Sequence, residues 1–360
     1  MGKVKKSKAL SFAGAFIALL IGSGFATGQE VMQYFSSFGL KGIMGTVLAF
    51  FLLAYVGMSF ISTGYREQFN KGNEIYKYYC GKYLGKFYDF FSIFFIFLSL
   101  TVMIAGAGAT GQQHYGWNPI MGGLLMGFLT VFTVTFGLGK IVEVIGNIGP
   151  VIVVLSIIVS ILTIIKYGAG LSSVNTTVDF LVSKGELHRA TSNWILAAGS
   201  YVGFCMLWLA SFLAQTGKTA NNQKEAKTGA VLGALGFSVA VLLMTLALLT
   251  RIKYVAGSQI PSLILAGELH SILANIFSII IFVGIYTTSV PLLWSVASRF
   301  TDEGTKKFKI YTIVIGAVAM VIGLNLEFDT LVSYVYVVNG FVGLLLLGLM
   351  IVKSIKTKQI

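Results

Sequence analysis

One stretch near the start of the chain concentrates the groups most able to do chemistry: Gly22-Ser23-Gly24-Phe25-Ala26-Thr27-Gly28-Gln29-Glu30. Its glycines, hydroxyls, amide and carboxylic acid lie in an otherwise apolar run that begins just beyond Lys8. In lipid such groups are costly and mark ligand or ion sites. Each glycine weakens a helix by about 1 kcal/mol relative to Ala, and irregular backbone at membrane depth persists only where protein or water satisfies it. A break is therefore expected near Ser23 to Thr27. It would bare carbonyls of the first half-helix, which suit a cation. It would also bare N–H groups of the second half-helix, which suit a carboxylate. A small-residue packing face is the alternative, but packing does not account for Gln29 and Glu30.

Two later stretches echo the first. Ala197-Ala198-Gly199-Ser200-Tyr201-Val202-Gly203-Phe204-Cys205 again places glycine, serine and aromatics at mid-depth, and a second break is expected there. Tyr201 and Phe204 would cover a small substrate. Gly284-Ile285-Tyr286-Thr287-Thr288-Ser289-Val290-Pro291 sets consecutive hydroxyls before a proline. Those hydroxyls can offer hard oxygen ligands to a small cation, or bond back to their own helix carbonyls. The candidate substrate contacts are Ser23, Gly24, Ala26, Thr27, Gly28, Gln29 and Glu30 from the first stretch, with Ser200, Tyr201, Gly203 and Phe204 from the second.

The elements that must position these residues are membrane helices. Of the 360 residues 56% are hydrophobic and only 11% charged, against roughly 25% charged in an ordinary soluble domain. A surface that apolar cannot face water. The formal charge of +13 does not mark a nucleic-acid binder, because the basic residues lie between long apolar runs rather than on one polar face. Runs of about 20 apolar residues give ten spans, at roughly 9–35, 40–63, 87–112, 119–138, 141–165, 191–215, 228–250, 270–298, 310–325 and 328–352. The N-terminal apolar run continues past signal-peptide length and is read as the first span. With both termini inside, 20 of the 26 Lys and Arg residues fall on the cytoplasmic side, as the positive-inside rule requires. One missed span would reverse every later loop and destroy that asymmetry.

The spans divide into two nearly equal halves, 9–165 and 191–352, between short tails (1–8 and 353–360) and joined by an outer loop, 166–190. Five spans per half is odd, so the second half enters the membrane from the opposite face. This is the arithmetic of an inverted repeat, common in secondary transporters. Two outer segments, 168–190 and 251–269, are candidate lids. The second contains Pro261 to Glu268, a short helix with proline in its first turn.

Other chemistry is sparse. Cys80 and Cys205 make no disulfide framework. His114, His188 and His270 fall on separate loops without ligand spacing. Glu143, Lys140, Glu327 and Asp329 lie near span ends, where charges reach water. The chain has no phosphate loop, HExxH or GxSxG, so it is read as neither an enzyme nor an ATP-driven pump. No cofactor and no obligate protein partner are expected; the partners are the bilayer and a small molecule.

The first-span string, in a ten-span chain of this size, resembles the YkvI-like amino acid permeases. They are a bacterial group in the amino acid–polyamine–organocation superfamily. The resemblance covers essentially the whole chain, though only the glycine string is specific. It implies the LeuT-type all-α membrane fold, two inverted five-helix repeats with spans one and six broken at the substrate site. From the sodium-coupled members it also implies a sodium site: the carbonyls of Gly22, Phe25 and Gly284 with the hydroxyls of Thr287 and Thr288. A substrate carboxylate would meet the N–H groups near Ala26 to Gly28. Two positions depart from those members, Ser23 standing for an asparagine and Glu30 for an apolar or aromatic residue. The expected function is a sodium-coupled symporter of an amino acid or similar zwitterion in a bacterial-type cytoplasmic membrane. Proton coupling through Glu30 and a non-transporting ligand-sensing receptor of the same fold are the alternatives.

Overall fold

The computed structural model describes residues 6–136, 148–171 and 173–357. Eight helices are long and apolar enough to cross a membrane. The other two spans are shorter or come in pieces. Span one is divided into Lys6–Leu20, Ser23–Thr27 and Gln29–Tyr34, and span five is described over Ile148–Tyr167. The intact spans are two (Leu40–Glu67), three (Glu74–Tyr115), four (Pro119–Phe136), six (Trp194–Lys218), seven (Gln223–Thr250), eight (Ser271–Ala297) and nine (Lys306–Asn325). Span ten runs Phe328–Lys356 and contains a π-helical turn at Val332–Tyr336. The described helices agree with ten spans, although the expected end of span four (137–138) and start of span five (141–147) lie outside the described residues. Lys140 and Glu143 lie outside the described residues.

The packing has the symmetry of an inverted repeat. Span one packs on seven as six packs on two, and two, three and four pack on their counterparts seven, eight and nine. Polar contacts between loops keep the two membrane faces apart. On the Lys- and Arg-rich face, Lys218 donates to Phe69 O at 2.6 Å and Arg299 pairs with Asp89. On the outer face, Asn175 Oδ1 accepts from Leu40 N at 2.9 Å, Arg189 Nε donates to Ser37 O at 2.8 Å, and Arg251 pairs with Glu268.

Two regions differ from the sequence reading. Residues 74–86, expected as loop, extend span three inward, with a bend at Gly81 (φ 74°). Aromatic burial drives this: Tyr76 OH donates to Leu207 O at 3.1 Å, and Tyr79 OH pairs with Thr63 Oγ1 at 2.8 Å. Second, span six is one unbroken helix. Its glycines serve close packing against span ten: a methyl on Gly203 would overlap Gly340 O, and one on Gly343 would overlap Gly203 O. Small residues here bring two backbones together, while the helix keeps its own hydrogen bonds.

Candidate functional site beneath the lid helix

Span one breaks where its glycines fall. Helix geometry lapses at Ile21 and Gly22, resumes for the single turn Ser23–Thr27, and ends at Gly28, whose φ of 79° lies in the left-handed region. That conformation is routine for glycine and costs other residues about 1–2 kcal/mol. Thr27 bridges the gap, its hydroxyl donating to Gly24 O at 3.1 Å and accepting from Gln29 N at 3.3 Å. Gln29–Tyr34 then completes the span, with every side chain buried.

Glu30 occupies the centre of the site and is 2% exposed. Tyr201 OH donates to its Oε1 at 3.1 Å. Its Oε2 lies over Gly24, so closely that a methyl there would overlap it, and the Tyr336 ring flanks the same position. Glu30 and Glu225 are the only charged residues among the described residues that are fully buried, and Glu225 lies at the inner start of span seven. An aromatic shell encloses the carboxylate: Tyr34 and Phe35 lie 5.4 and 4.9 Å from Tyr201, Phe204 stacks on Tyr336 at 4.8 Å, and Phe237 lies 6.4 Å from Tyr201. Gln29 Oε1 and Ser200 Oγ are buried without a hydrogen bond among the described residues. Buried polar atoms are normally paired, so Gln29 Oε1 has capacity for a ligand, whereas Ser200 Oγ is packed against the span-ten backbone at Gly340.

The structure sorts the expected residues into groups. Gly24, Thr27, Gly28, Gln29, Glu30, Tyr201 and Phe204 converge around the break. Ser200 and Gly203 face the span-ten backbone at Gly340. The side chain of Ser23 lies outside the described residues. The N–H groups of Ala26 and Gly28 are engaged by Gly22 O at 3.1 Å and Phe25 O at 3.0 Å. A substrate carboxylate there would have to displace those bonds. Gly22 O and Phe25 O each keep a second lone pair, as carbonyls do. The turn Ser23–Thr27 packs on span eight, where Thr287 and Thr288 both donate to Gly284 O, at 3.0 and 2.9 Å. Those hydroxyls therefore bond back to their own helix while keeping oxygen lone pairs for a cation. Among the described residues, no three of His, Cys, Asp and Glu cluster as metal ligands.

Several contributors escaped the sequence reading. Gln33, fully buried, donates to Asp329 O at 3.1 Å and accepts from Ser333 Oγ at 2.9 Å, tying the broken span to the π-turn of span ten. Glu30, Gln33 and Tyr34 fall at i, i+3 and i+4, one helix face, and that spacing was the available signal. π-turns cluster at functional positions, but no residue pattern here announces one.

The helix Pro261–Leu269, within the second candidate lid segment, packs on the break. Ser262 Oγ donates to Ala26 O at 2.7 Å, and Gly28 abuts Pro261 and Ser262. Gln113 accepts from Ile260 N at 3.0 Å and donates to Ile260 O at 2.8 Å, fixing the lid's start to span three. Arg251 pairs with Glu268 at the lid's other end, and that carboxylate raises the guanidinium pKa further.

No family model matches the chain. It is 23% identical over 354 residues to the uncharacterized membrane protein YkvI of Bacillus subtilis (strain 168), covering 97% of each chain. It is 25% identical over 349 residues to YyaD of the same organism, covering 94% of this chain and 95% of that one. Among solved structures it is similar to MhsT in complex with L-phenylalanine, with TM-score 0.62, 16% identity and coverage of 96% of this chain and 89% of that one. A substrate-bound, outward-open Na+-coupled sialic acid symporter gives TM-score 0.61 and 15% identity, covering 95% and 78%. A manganese transporter of Eremococcus coleocola gives TM-score 0.52 and 13% identity, covering 94% and 76%. The chain is an all-α integral membrane protein of the LeuT type, with two inverted five-helix repeats and a first span broken at Gly22 and Gly28.

Proposed function

We propose that the protein is a secondary active transporter, a sodium-coupled symporter of an amino acid or similar small zwitterion. One observation supports the reading: a membrane helix interrupted at Gly22 and Gly28 beside a buried carboxylate and packed against the helix Pro261–Leu269. Such interruptions expose backbone groups to ligands at the point about which two repeats rock. Gly22 O, Phe25 O, Gly284 O, Thr287 and Thr288 are the proposed sodium ligands. Gly24, Ala26 to Glu30, Tyr201 and Phe204 are the proposed substrate contacts, with Ser200 and Gly203 at the margin and Ser23 proposed from the sequence alone. The Na+-coupled symporter among the fold neighbours supports sodium as the coupling ion. The tails are assigned to the cytoplasmic side.

The test is uptake of labelled amino acids into proteoliposomes under an inward sodium gradient. Uptake that collapses when potassium replaces sodium supports the reading; unchanged uptake rejects sodium coupling. Ligand binding without counterflow would identify a receptor instead.

A second reading has its own observation. Glu30 is bonded to Tyr201, and no Lys, Arg or His is buried with it among the described residues. A carboxylate so placed can carry a proton through the transport cycle. In that case Glu30→Gln abolishes uptake driven by a pH gradient, and an unchanged pH profile rejects the idea.

A further inference from the structure

The carboxylate of Glu30 is half partnered. Its Oε1 accepts from Tyr201 OH at 3.1 Å, while no hydrogen bond reaches Oε2 among the described residues. Oε2 rests against Gly24, with the Tyr336 ring beside it. A bare carboxylate oxygen buried in a membrane helix is costly unless a proton or a cation meets it. A second acceptor stands one turn on. Tyr34, at i+4 on the same helix face, packs its ring 5.4 Å from Tyr201, and its buried hydroxyl has no hydrogen bond among the described residues. No Lys, Arg or His is buried among the described residues, so a cation that meets Oε2 belongs to a ligand rather than to one of these side chains.

The surroundings separate one kind of cation from another. A hard metal ion asks for a cluster of oxygens. Around Glu30 the neighbours are mostly rings: Phe204 stacks on Tyr336 at 4.8 Å, and Tyr34, Phe35 and Phe237 pack about Tyr201. A carboxylate, a hydroxyl and ring faces are the groups that receive an organic ammonium. An anionic group finds less here. The N–H groups of Ala26 and Gly28 already donate to Gly22 O and Phe25 O, at 3.1 and 3.0 Å, and an ionised Glu30 repels a second carboxylate.

We propose that Glu30 is the counter-ion of the substrate's ammonium group, and that the site selects small amines by that group, with or without a carboxylate. The ammonium donates to Glu30 Oε2 and to the Tyr34 hydroxyl, beside the Tyr336 ring. The inference rests on the reading of the span-one break as the substrate site and deepens it: the group recognised is the protonated amine. It differs from a proton-carrying Glu30, which asks for no ammonium on its ligand.

The test is binding, followed as thermal stabilisation of the full-length chain in detergent, with sodium present and at neutral pH, where primary amines are protonated. Three matched sets of probes are compared: ethylamine, alanine and propionate; isopentylamine, leucine and isocaproate; phenethylamine, phenylalanine and hydrocinnamate. In at least one set the amine and the amino acid are expected to bind. The acid that lacks the amine is expected to bind at least about tenfold more weakly, or about 1.4 kcal/mol. Glu30→Gln keeps the shape and the acceptor for Tyr201, and is expected to weaken amine binding by about the same factor. A proton carrier predicts the reverse, because the amide imitates the protonated acid and binding survives. Acids that bind as well as their amines overturn the proposal. So does amine binding unchanged in a folded Glu30→Gln, or no binding by any amine. Should Glu30→Gln not fold, the comparison of amine with acid on the wild type decides alone. Sodium-driven amino acid uptake without amine binding sinks this proposal and leaves the transporter reading standing. Amine binding that is lost in Glu30→Gln, with no uptake by the wild type, does the opposite.

Discussion

Spans one and six are counterparts in the inverted repeat, and each carries glycine, serine and an aromatic at mid-depth. Span one breaks; span six does not. The difference lies in what each glycine touches. Gly203 presses on span ten, where the Gly340 carbonyl leaves no room for a side chain, and Gly199 lies tight against the Leu344 side chain. Gly24 instead faces a carboxylate and a tyrosine ring, and Gly28 adopts a backbone angle that glycine favours. The same residue type thus serves close packing in one repeat and an open backbone in the other. What span six contributes to the site is its aromatic side chains, Tyr201 and Phe204.

That contrast can be broken by substitution. The largest effect is expected at Gly203. Valine there must push apart two helix backbones, neither of which can yield as a flexible side chain does, at a cost of about 3 kcal/mol or more. Thermal unfolding in detergent should show a large fall in midpoint or loss of folded protein; a stable variant would show that span six is not held by this contact. Gly24→Ala sharpens the functional half. Its methyl displaces the Glu30 carboxylate, which can swing aside, so the fold survives while substrate uptake falls about tenfold or more, near 1.4 kcal/mol. Wild-type uptake by a folded Gly24→Ala would remove Glu30 from the site.

Gly28→Ala is expected to cost about 1–2 kcal/mol from its backbone angle alone. The methyl would also sit 3.3 Å from Ser262 N, crowding the lid. Hydrogen exchange of residues 261–269 should quicken; unchanged protection would separate the break from the lid. The smallest effect is expected at Thr288→Ala. It removes one proposed sodium ligand worth about 1 kcal/mol, raising the sodium concentration for half-maximal binding about fivefold. A sodium dependence identical to wild type would remove span eight from the cation site.

Much of the fold was legible from residue order. Apolar runs and the placement of Lys and Arg are local quantities, and they predicted ten spans and their alternation. The break in span one was legible for the same reason: glycines, Gln29 and Glu30 make a helix at membrane depth costly wherever it packs. The continuity of span six was not legible, because Gly203 reads alike whether it faces a cavity or Gly340. Gln33 was legible in principle, lying one turn beyond Glu30, yet its partners Asp329 and Ser333 are about 300 positions away. The arm at residues 74–86 was read as loop because its aromatics bury against spans two and six, which the local pattern does not contain.

By itself, then, the sequence determined the class of solvent, the number of crossings, the likeness of the two halves and the weak point of the first span. These follow from transfer free energies and helix propensities, which each residue carries with it. Tertiary structure alone decided which glycines pack and which open the backbone, which hydroxyl meets Glu30, that a π-turn in span ten faces Gln33, and that Ser262 bonds Ala26 O. Those outcomes rest on contacts between helices far apart in the chain, and their energies exist only once the helices are brought together.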